Sequence, residues 1–405
     1  MKTLAYHVEM ERMARTLALS KVMGKEAFFR DCSPVYMEDI PNDRLPGPNY
    51  VKVRNIQTGI CGSDVSMFTL HQSLSMSLAV MPSQKRQYMG HETVGIVEEA
   101  GKAVRSVRAG DRVIMVKYLS NCSTQGIPKE GWCEACRRGD YVMCTNFGEP
   151  ARKKHMIGAG FGDCYYAPED CVMKIDDSIS NDQAVLYEPT AVSLHTVLKK
   201  APEPGDRVVV FGGGMIGQNI VQCLKLVQPD CTVYLLDRNS WKQEMALKLG
   251  ADGIITGNPY EYLSRETGAK YYSDPKKKNQ VLIGGVDIVY DSIGADWSFN
   301  MGLRILRARG TYVKAGIQMV PTKIDETPLW NQELTVMGVN SYGLDEYEGK
   351  TYQSFELVDR LVHEGRLDLS PFITQRYPLS SYKDGFREAV IHGSDTMKVV
   401  IDCTR

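Results

Sequence analysis

The run Gly212-Gly213-Gly214-Met215-Ile216-Gly217 constrains the fold of this 405-residue chain more than any other feature. It follows a short apolar run, Arg207 to Phe211, and opens a segment with helical periodicity, Gln218 to Val227. In that setting each glycine has a task. Gly212 permits a tight turn, Gly214 lets the backbone approach a pyrophosphate, and Gly217 lets helix and strand pack closely. The helix N-terminus, with Met215 and Ile216 in its first turn, offers unpaired N–H groups and the positive end of its dipole to the diphosphate. Asp237 ends the next apolar run, Thr232 to Asp237, twenty residues after Gly217. A carboxylate there accepts hydrogen bonds from ribose hydroxyls and repels a 2′-phosphate, so NAD is favoured over NADP. Arg238 beside it could accommodate a phosphate and weakens that preference.

The same half of the chain continues as alternating strands and helices. Gly253 to Thr256, Val286 to Asp291 and Gly310 to Ala315 read as strands, Trp241 to Leu249 and Ser298 to Leu306 as helices. Repeated βα units imply a parallel sheet covered on both faces. The first part reads differently. Tyr50 to Ile56 alternates with period two, and Thr93 to Glu99 and Arg112 to Val116 form further strands joined through Gly110-Asp111. The tail, with a helix at Glu356 to Glu364 and a strand at Lys398 to Asp402, is expected to rejoin that β-rich part. The fold class is therefore α/β: a β-rich domain plus a doubly wound parallel-sheet domain. The expected boundaries are 1–190, 191–338 and 339–405, the last returning to the first domain.

Forty-eight basic against 49 acidic residues leave no global field that recommends nucleic acid or an anionic membrane. No stretch approaches the roughly 20 apolar residues that span a bilayer. The N-terminus meets charge too early for a signal-peptide core. Eleven cysteines, several inside expected strands or helices, argue for a reducing compartment and metal binding rather than a secreted disulfide framework. A cytoplasmic protein is expected.

Two cysteine-bearing regions carry the chemistry. Cys61 in Gly59-Ile60-Cys61-Gly62-Ser63-Asp64 and His91-Glu92 in Gly90-His91-Glu92 bring thiolate, imidazole and carboxylate together, a ligand set suited to Zn²⁺. Asp64 reads either as the acceptor that fixes the ligand imidazole's tautomer or as a turn cap. A second region, Cys133 to Cys144, has the spacing C-x₂-C-x₇-C through Cys136.

These motifs, with Tyr187-Glu188-Pro189-Thr190-Ala191-Val192-Ser193-Leu194-His195, resemble the zinc-dependent medium-chain dehydrogenase/reductase family over nearly the whole chain. The likeness is closest to its sorbitol, threonine and glucose dehydrogenase branch. The resemblance implies a GroES-like catalytic domain and a Rossmann cofactor domain. It also implies that Cys61 and His91 hold a catalytic zinc, with Glu92, Glu188, or each in turn as the carboxylate. Ser63 stands where the family places its relay hydroxyl. Where many relatives carry histidine two residues after Asp64 this chain has Ser66, leaving His195 and His71 only as weak substitutes. The family's structural zinc lobe uses four cysteines, one of them at the position held here by Glu130. Either Glu130 ligates, or Cys122 folds back to join Cys133, Cys136 and Cys144. Cys122 is favoured because closed structural sites prefer thiolates. A homodimer or homotetramer, joined through the cofactor-domain sheet, is expected by the same resemblance.

The function expected is hydride transfer from a secondary alcohol, polyol or sugar hydroxyl to NAD. The segment Val65 to Met89, with Met67, Phe68, Leu70, Met76, Met81 and Met89, reads either as a soft apolar wall over the substrate or as ordinary packing. With an N-terminal stretch (about Met10 to Phe29) longer than relatives usually have, it keeps open a second reading. That reading is a zinc-dependent reductase of an apolar aldehyde or ketone. A catalytically silent nucleotide-binding scaffold is the third, and it has no chemical need of the Cys61, His91, Glu92 and Glu188 constellation. Lys276-Lys277-Lys278 is expected to be a solvated loop.

Overall fold

Alternation along Tyr50–Gly59 puts Val51, Val53, Asn55 and Gln57 inside and leaves Lys52, Arg54 and Ile56 facing out. That pattern makes the strand the spine of a seven-stranded sheet. In the computed structural model, which describes residues 1–41, 44–71, 86–117, 121–146, 156–318 and 320–405, the chain divides into two compact units. The first comprises Met1–Glu188 and Asp368–Arg405, the second Pro189–Leu367.

In the first unit the sheet order is Ile373–Pro378, Lys398–Asp402, Tyr50–Gly59, Glu92–Ala100, Arg112–Met115 and Val172–Lys174. Cys164–Pro168 also pairs with Tyr50–Gly59. Two registers set the geometry at one end of this sheet: Gly59 opposes Glu92, and Val400 opposes Gly59. They bring the start of the last strand beside the start of Glu92–Ala100. A separate three-stranded sheet is formed by Val35–Asp39, Lys2–His7 and Arg86–Tyr88. The N-terminal stretch folds as a helix, Met10–Met23, and a 3₁₀ turn, Gly24–Phe29.

Phe28, Phe29, Met67, Phe68, Leu70, Met89, Phe161 and Phe386 belong to one buried apolar cluster. Phe68 lies 5.1 Å from the Phe29 ring and 4.6 Å from that of Phe386. Burying each such ring contributes about 1.5–3 kcal/mol, which fixes the C-terminal end of the short helix Gly62–Phe68. Packing therefore accounts for Met67, Phe68, Leu70 and Met89, whereas Met76 and Met81 lie outside the described residues.

The second unit holds a six-stranded sheet in the order Gly253–Ile254, Thr232–Leu236, Arg207–Phe211, Val286–Asp291, Leu306–Lys314 and Thr335–Gly338. Every pairing is parallel. Chain order reverses at Arg207–Phe211, the switch point at whose carboxyl edge ligands bind in such sheets. Three features differ from the sequence expectations. The return to the first unit comes at Asp368 rather than 339. The reason is a hairpin, Leu344–Tyr347 with Lys350–Gln353, and the helix Ser354–His363, which close the second unit through a buried hydrogen-bond chain. In that chain His195 Nδ1 lies 2.6 Å from Asp345 Oδ1, and Ser354 Oγ donates to Asp345 Oδ2 at 2.6 Å. Asp345 thereby engages His195 through Nδ1, and His71 is exposed. Finally, Lys276 to Lys278 are exposed, as a solvated loop should be, but the hairpin that carries them, Lys270–Ser273 with Gln280–Ile283, was not anticipated.

Candidate metal centres and dinucleotide site

Cys61 caps the helix Gly62–Phe68 from an extended conformation, φ −88° and ψ 158°. Its N–H donates to Asp64 Oδ2 at 3.0 Å, so the aspartate closes the first turn and fixes the thiol. His91 follows Gly90, whose φ of +93° and approach to Phe161 exclude a side chain. Cys61, His91 and Glu92 each present a ligand atom within 4.8 Å of the others. Asp64 Oδ1 lies 3.8 Å from His91 Nδ1, too far for a hydrogen bond. Of the two roles expected for Asp64, turn capping is the one realised.

Glu92 has a partner the sequence did not reveal. Lys398 Nζ donates to both its carboxylate oxygens, at 2.7 and 2.6 Å, and to Ile60 O at 3.3 Å. Both side chains are buried, 4% and 0% exposed. Gly59 leaves room for this pair, since a Cβ there would lie 2.2 Å from Glu92 Oε2. Glu188, in the first turn of the helix Tyr187–Lys199, is buried within electrostatic reach of His91, Cys61, Glu92 and Lys398. It does not join the 4.8 Å group of ligand atoms.

Burial dominates the protonation of this cluster. Burial, then the Glu92 charge, pushes the Cys61 thiol up to about 12. Burial pushes Glu188 up to about 8, and Asp64 also rises, chiefly from desolvation. Four acidic groups thus face one ammonium, that of Lys398. Such a donor set fits a divalent cation, which would favour the thiolate and carboxylate forms that burial disfavours. The Ser63 hydroxyl is buried beside the thiol and has no other hydrogen-bond partner among the described residues.

In the second cluster the Asn121 side chain accepts from the N–H groups of Ser123 and Thr124, at 2.9 and 3.1 Å, and so turns Cys122 inward. Cys133 caps the five-residue helix Glu134–Arg138, and Gly139 ends it at φ 93°. The ligand atoms of Cys122, Cys133, Cys136 and Cys144 all lie within 4.8 Å of one another, and Cys133 N–H points at Cys122 Sγ at 3.3 Å. Glu130 is exposed. Burial opposes the Cys133 thiolate, but the N–H groups of Cys136 and Thr145 bring its thiol down to about 6. Burial raises Cys144 to about 11 and also raises Cys136. Four sulfurs so close without a disulfide match a tetrahedral thiolate site.

In the second unit Gly212 turns at φ +89°, and a Cβ on Gly217 would lie 1.7 Å from Gly212 O. Gly214 caps the helix Met215–Val227 and meets nothing within 4 Å of where its Cβ would be. The result is an open cradle beneath a 13-residue helix N-terminus, as a diphosphate requires. Asp237 Oδ2 accepts from Gly213 N–H at 2.6 Å and Oδ1 from Asn239 N–H at 2.8 Å. Arg238 is exposed.

Comparisons with known proteins agree with both units. Residues 47–177 match the alcohol dehydrogenase GroES-like domain, and residues 215–358 match the zinc-binding dehydrogenase family. The chain is 30% identical over 357 residues to the probable D-xylulose reductase A of Aspergillus terreus, covering 87% of this chain and 91% of that protein. It superposes on galactitol-1-phosphate dehydrogenase from Escherichia coli with TM-score 0.70 at 18% identity, covering 99% and 100% of the two chains. With 2R,3R-butanediol dehydrogenase from Bacillus subtilis the TM-score is 0.69 at 23% identity, covering 91% and 96%. These two structures share the fold. By these matches the chain belongs to the zinc-dependent medium-chain dehydrogenase/reductase family, in its sorbitol dehydrogenase-like branch, and is a nicotinamide-dependent oxidoreductase of CH–OH groups.

Proposed function

We propose that this enzyme oxidises a polyol or secondary alcohol with NAD. The observation that carries the reading is the Cys61–His91–Glu92 group, half-buried at Cys61 and buried at the other two, with Glu188 in reach, in a chain that also carries the Gly212–Gly217 cradle. When bound, a zinc ion supplies Lewis-acid polarisation of a substrate hydroxyl, and the nicotinamide supplies the hydride acceptor. Cys61 and His91 hold the ion, with Glu92 or Glu188 as the carboxylate. Lys398 competes for Glu92, whereas no hydrogen bond or ion pair clamps Glu188 among the described residues, and burial favours its protonated form until a cation is bound. Ser63 would pass the hydroxyl proton outward, and Ser66, two residues after Asp64, has no titratable nitrogen to carry it further near neutral pH. Cys122, Cys133, Cys136 and Cys144 hold a second, structural zinc.

Asp237 selects NAD by accepting ribose hydroxyls, and the exposed Arg238 is free to turn to solvent. Names of related proteins, a xylulose reductase among them, favour a sugar alcohol. The open edge strand Thr335–Gly338, with Val336 40% exposed, suits sheet-to-sheet assembly of a homo-oligomer. No helix among the described residues is long and apolar enough to cross a membrane. The absence of a disulfide among the described residues, with eleven cysteines in the chain, suits the cytoplasm. The test is NADH and NADPH absorbance across a panel of polyols and apolar secondary alcohols with zinc-replete protein. Turnover of polyols with NAD is expected. No turnover with any alcohol would leave the silent scaffold in its place, and turnover of apolar alcohols alone would favour the carbonyl reductase.

A further inference from the structure

The helix Met10–Met23 buries only Met13 and Thr16. Its opposite face is exposed, with Val22 85% accessible, Met10 63% and Leu17 40%, beside exposed Ala14, Ala18, Glu11 and Lys21. This face lies outside the stretch matched to the GroES-like domain, which begins at residue 47. It carries its own complement. Counting from Thr16, Glu11 and Lys21 stand five places away on either side, Ala14 and Ala18 two, and Met10 and Val22 six.

We propose that this helix pairs antiparallel with the same helix of a second copy, about a two-fold axis opposite Thr16. In that arrangement Glu11 of each copy meets Lys21 of the other, Ala14 meets Ala18, and Met10 meets Val22. Positions 11, 14, 18 and 21 follow the three–four–three spacing of a coiled seam, and the alanines let the backbones approach closely. Met10, Leu17 and Val22 cover its flanks with apolar surface.

The charges identify the occupant. Glu11 and Lys21 are ten residues apart on one helix, about 15 Å, so they cannot pair within a copy. Lys21 has no hydrogen-bond or ion-pair partner among the described residues. Glu11 is held on this face by Arg15 at 2.5 Å. A helix pair of under four turns covers less than the roughly 1,200 Å² of a typical stable interface. The contact therefore acts within the homo-oligomer proposed above, on which this inference rests, rather than holding two copies alone, and being isologous it closes after one step that doubles the mass.

The test is mass by analytical ultracentrifugation at micromolar concentration for wild type, Glu11→Lys, Lys21→Glu and the double charge swap. Each single variant should sediment at half the wild-type mass, and the double swap should return to the wild-type mass. Turnover and zinc content should be equal in all four proteins, which establishes that each is folded. Four equal masses, or a double swap that stays at half mass, would overturn the proposal.

Discussion

Replacing Lys398 by Met should damage the first unit far more than an ordinary lysine substitution. Lys398 Nζ sits 2.7 and 2.6 Å from the two Glu92 oxygens with both side chains out of water. At an effective dielectric of 20 two unit charges at 4 Å attract by about 4 kcal/mol. Removing one partner of a buried pair, and stranding the other, costs about 3–5 kcal/mol. For a unit of this size each kcal/mol moves the melting temperature by about 2–4 °C, so a fall of about 10 °C is expected in chelator-treated protein. Zinc loading should narrow the deficit, because a cation held by Cys61 and His91 can take over the Glu92 charge. Glu92→Gln alone should also destabilise, and the Lys398→Met/Glu92→Gln double variant should cost about 1–3 kcal/mol less than the sum. Scanning calorimetry of the four proteins, metal-free and zinc-loaded, reads these terms. A metal-free Lys398→Met protein melting within about 2 °C of wild type, or strictly additive variants, would refute the reasoning.

Two more outcomes are expected in the second unit. Asp237→Ala should raise the Kd for NADH at least about tenfold by fluorescence titration and leave NADPH nearly unchanged, since a charged hydrogen bond contributes about 1.5–3 kcal/mol. It also strips Gly213 N–H of its 2.6 Å acceptor, so unchanged NADH binding would remove Asp237 from the cofactor site. His195→Leu should lower the second unit's stability by about 3 kcal/mol, because Asp345 keeps only its Ser354 partner, and His195→Gln should lower it less. Equal urea midpoints for the two variants would contradict that.

Local signals made much of this legible. The glycine run located the tight turn from strand to helix at Met215–Val227, and period-two alternation over Tyr50 to Ile56 located most of the strand Tyr50–Gly59, because both are properties of neighbouring residues. Cys133, Cys136 and Cys144 were visible through spacing, and Cys122 only through the family's four-cysteine lobe and the preference of closed structural zinc sites for thiolate ligands. Lys398 was not visible at all: it stands 306 residues from Glu92, and nothing in Lys398–Asp402 distinguishes a clamped ammonium from an outward-facing one. The Asp345 hairpin escaped for the same reason. Its meaning lies in a partner 150 residues away, which moved the return to the first unit to Asp368. Asp64 was readable in two ways, and three-residue proximity to Cys61 won over a histidine 27 positions on.

Metal analysis of purified protein tests the central claim most directly. Two zinc ions per chain are expected, with one remaining in each of Cys61→Ser and Cys136→Ser, and turnover lost only in Cys61→Ser. A wild-type count below two, or a Cys61→Ser protein that keeps both ions and its turnover, would contradict the account.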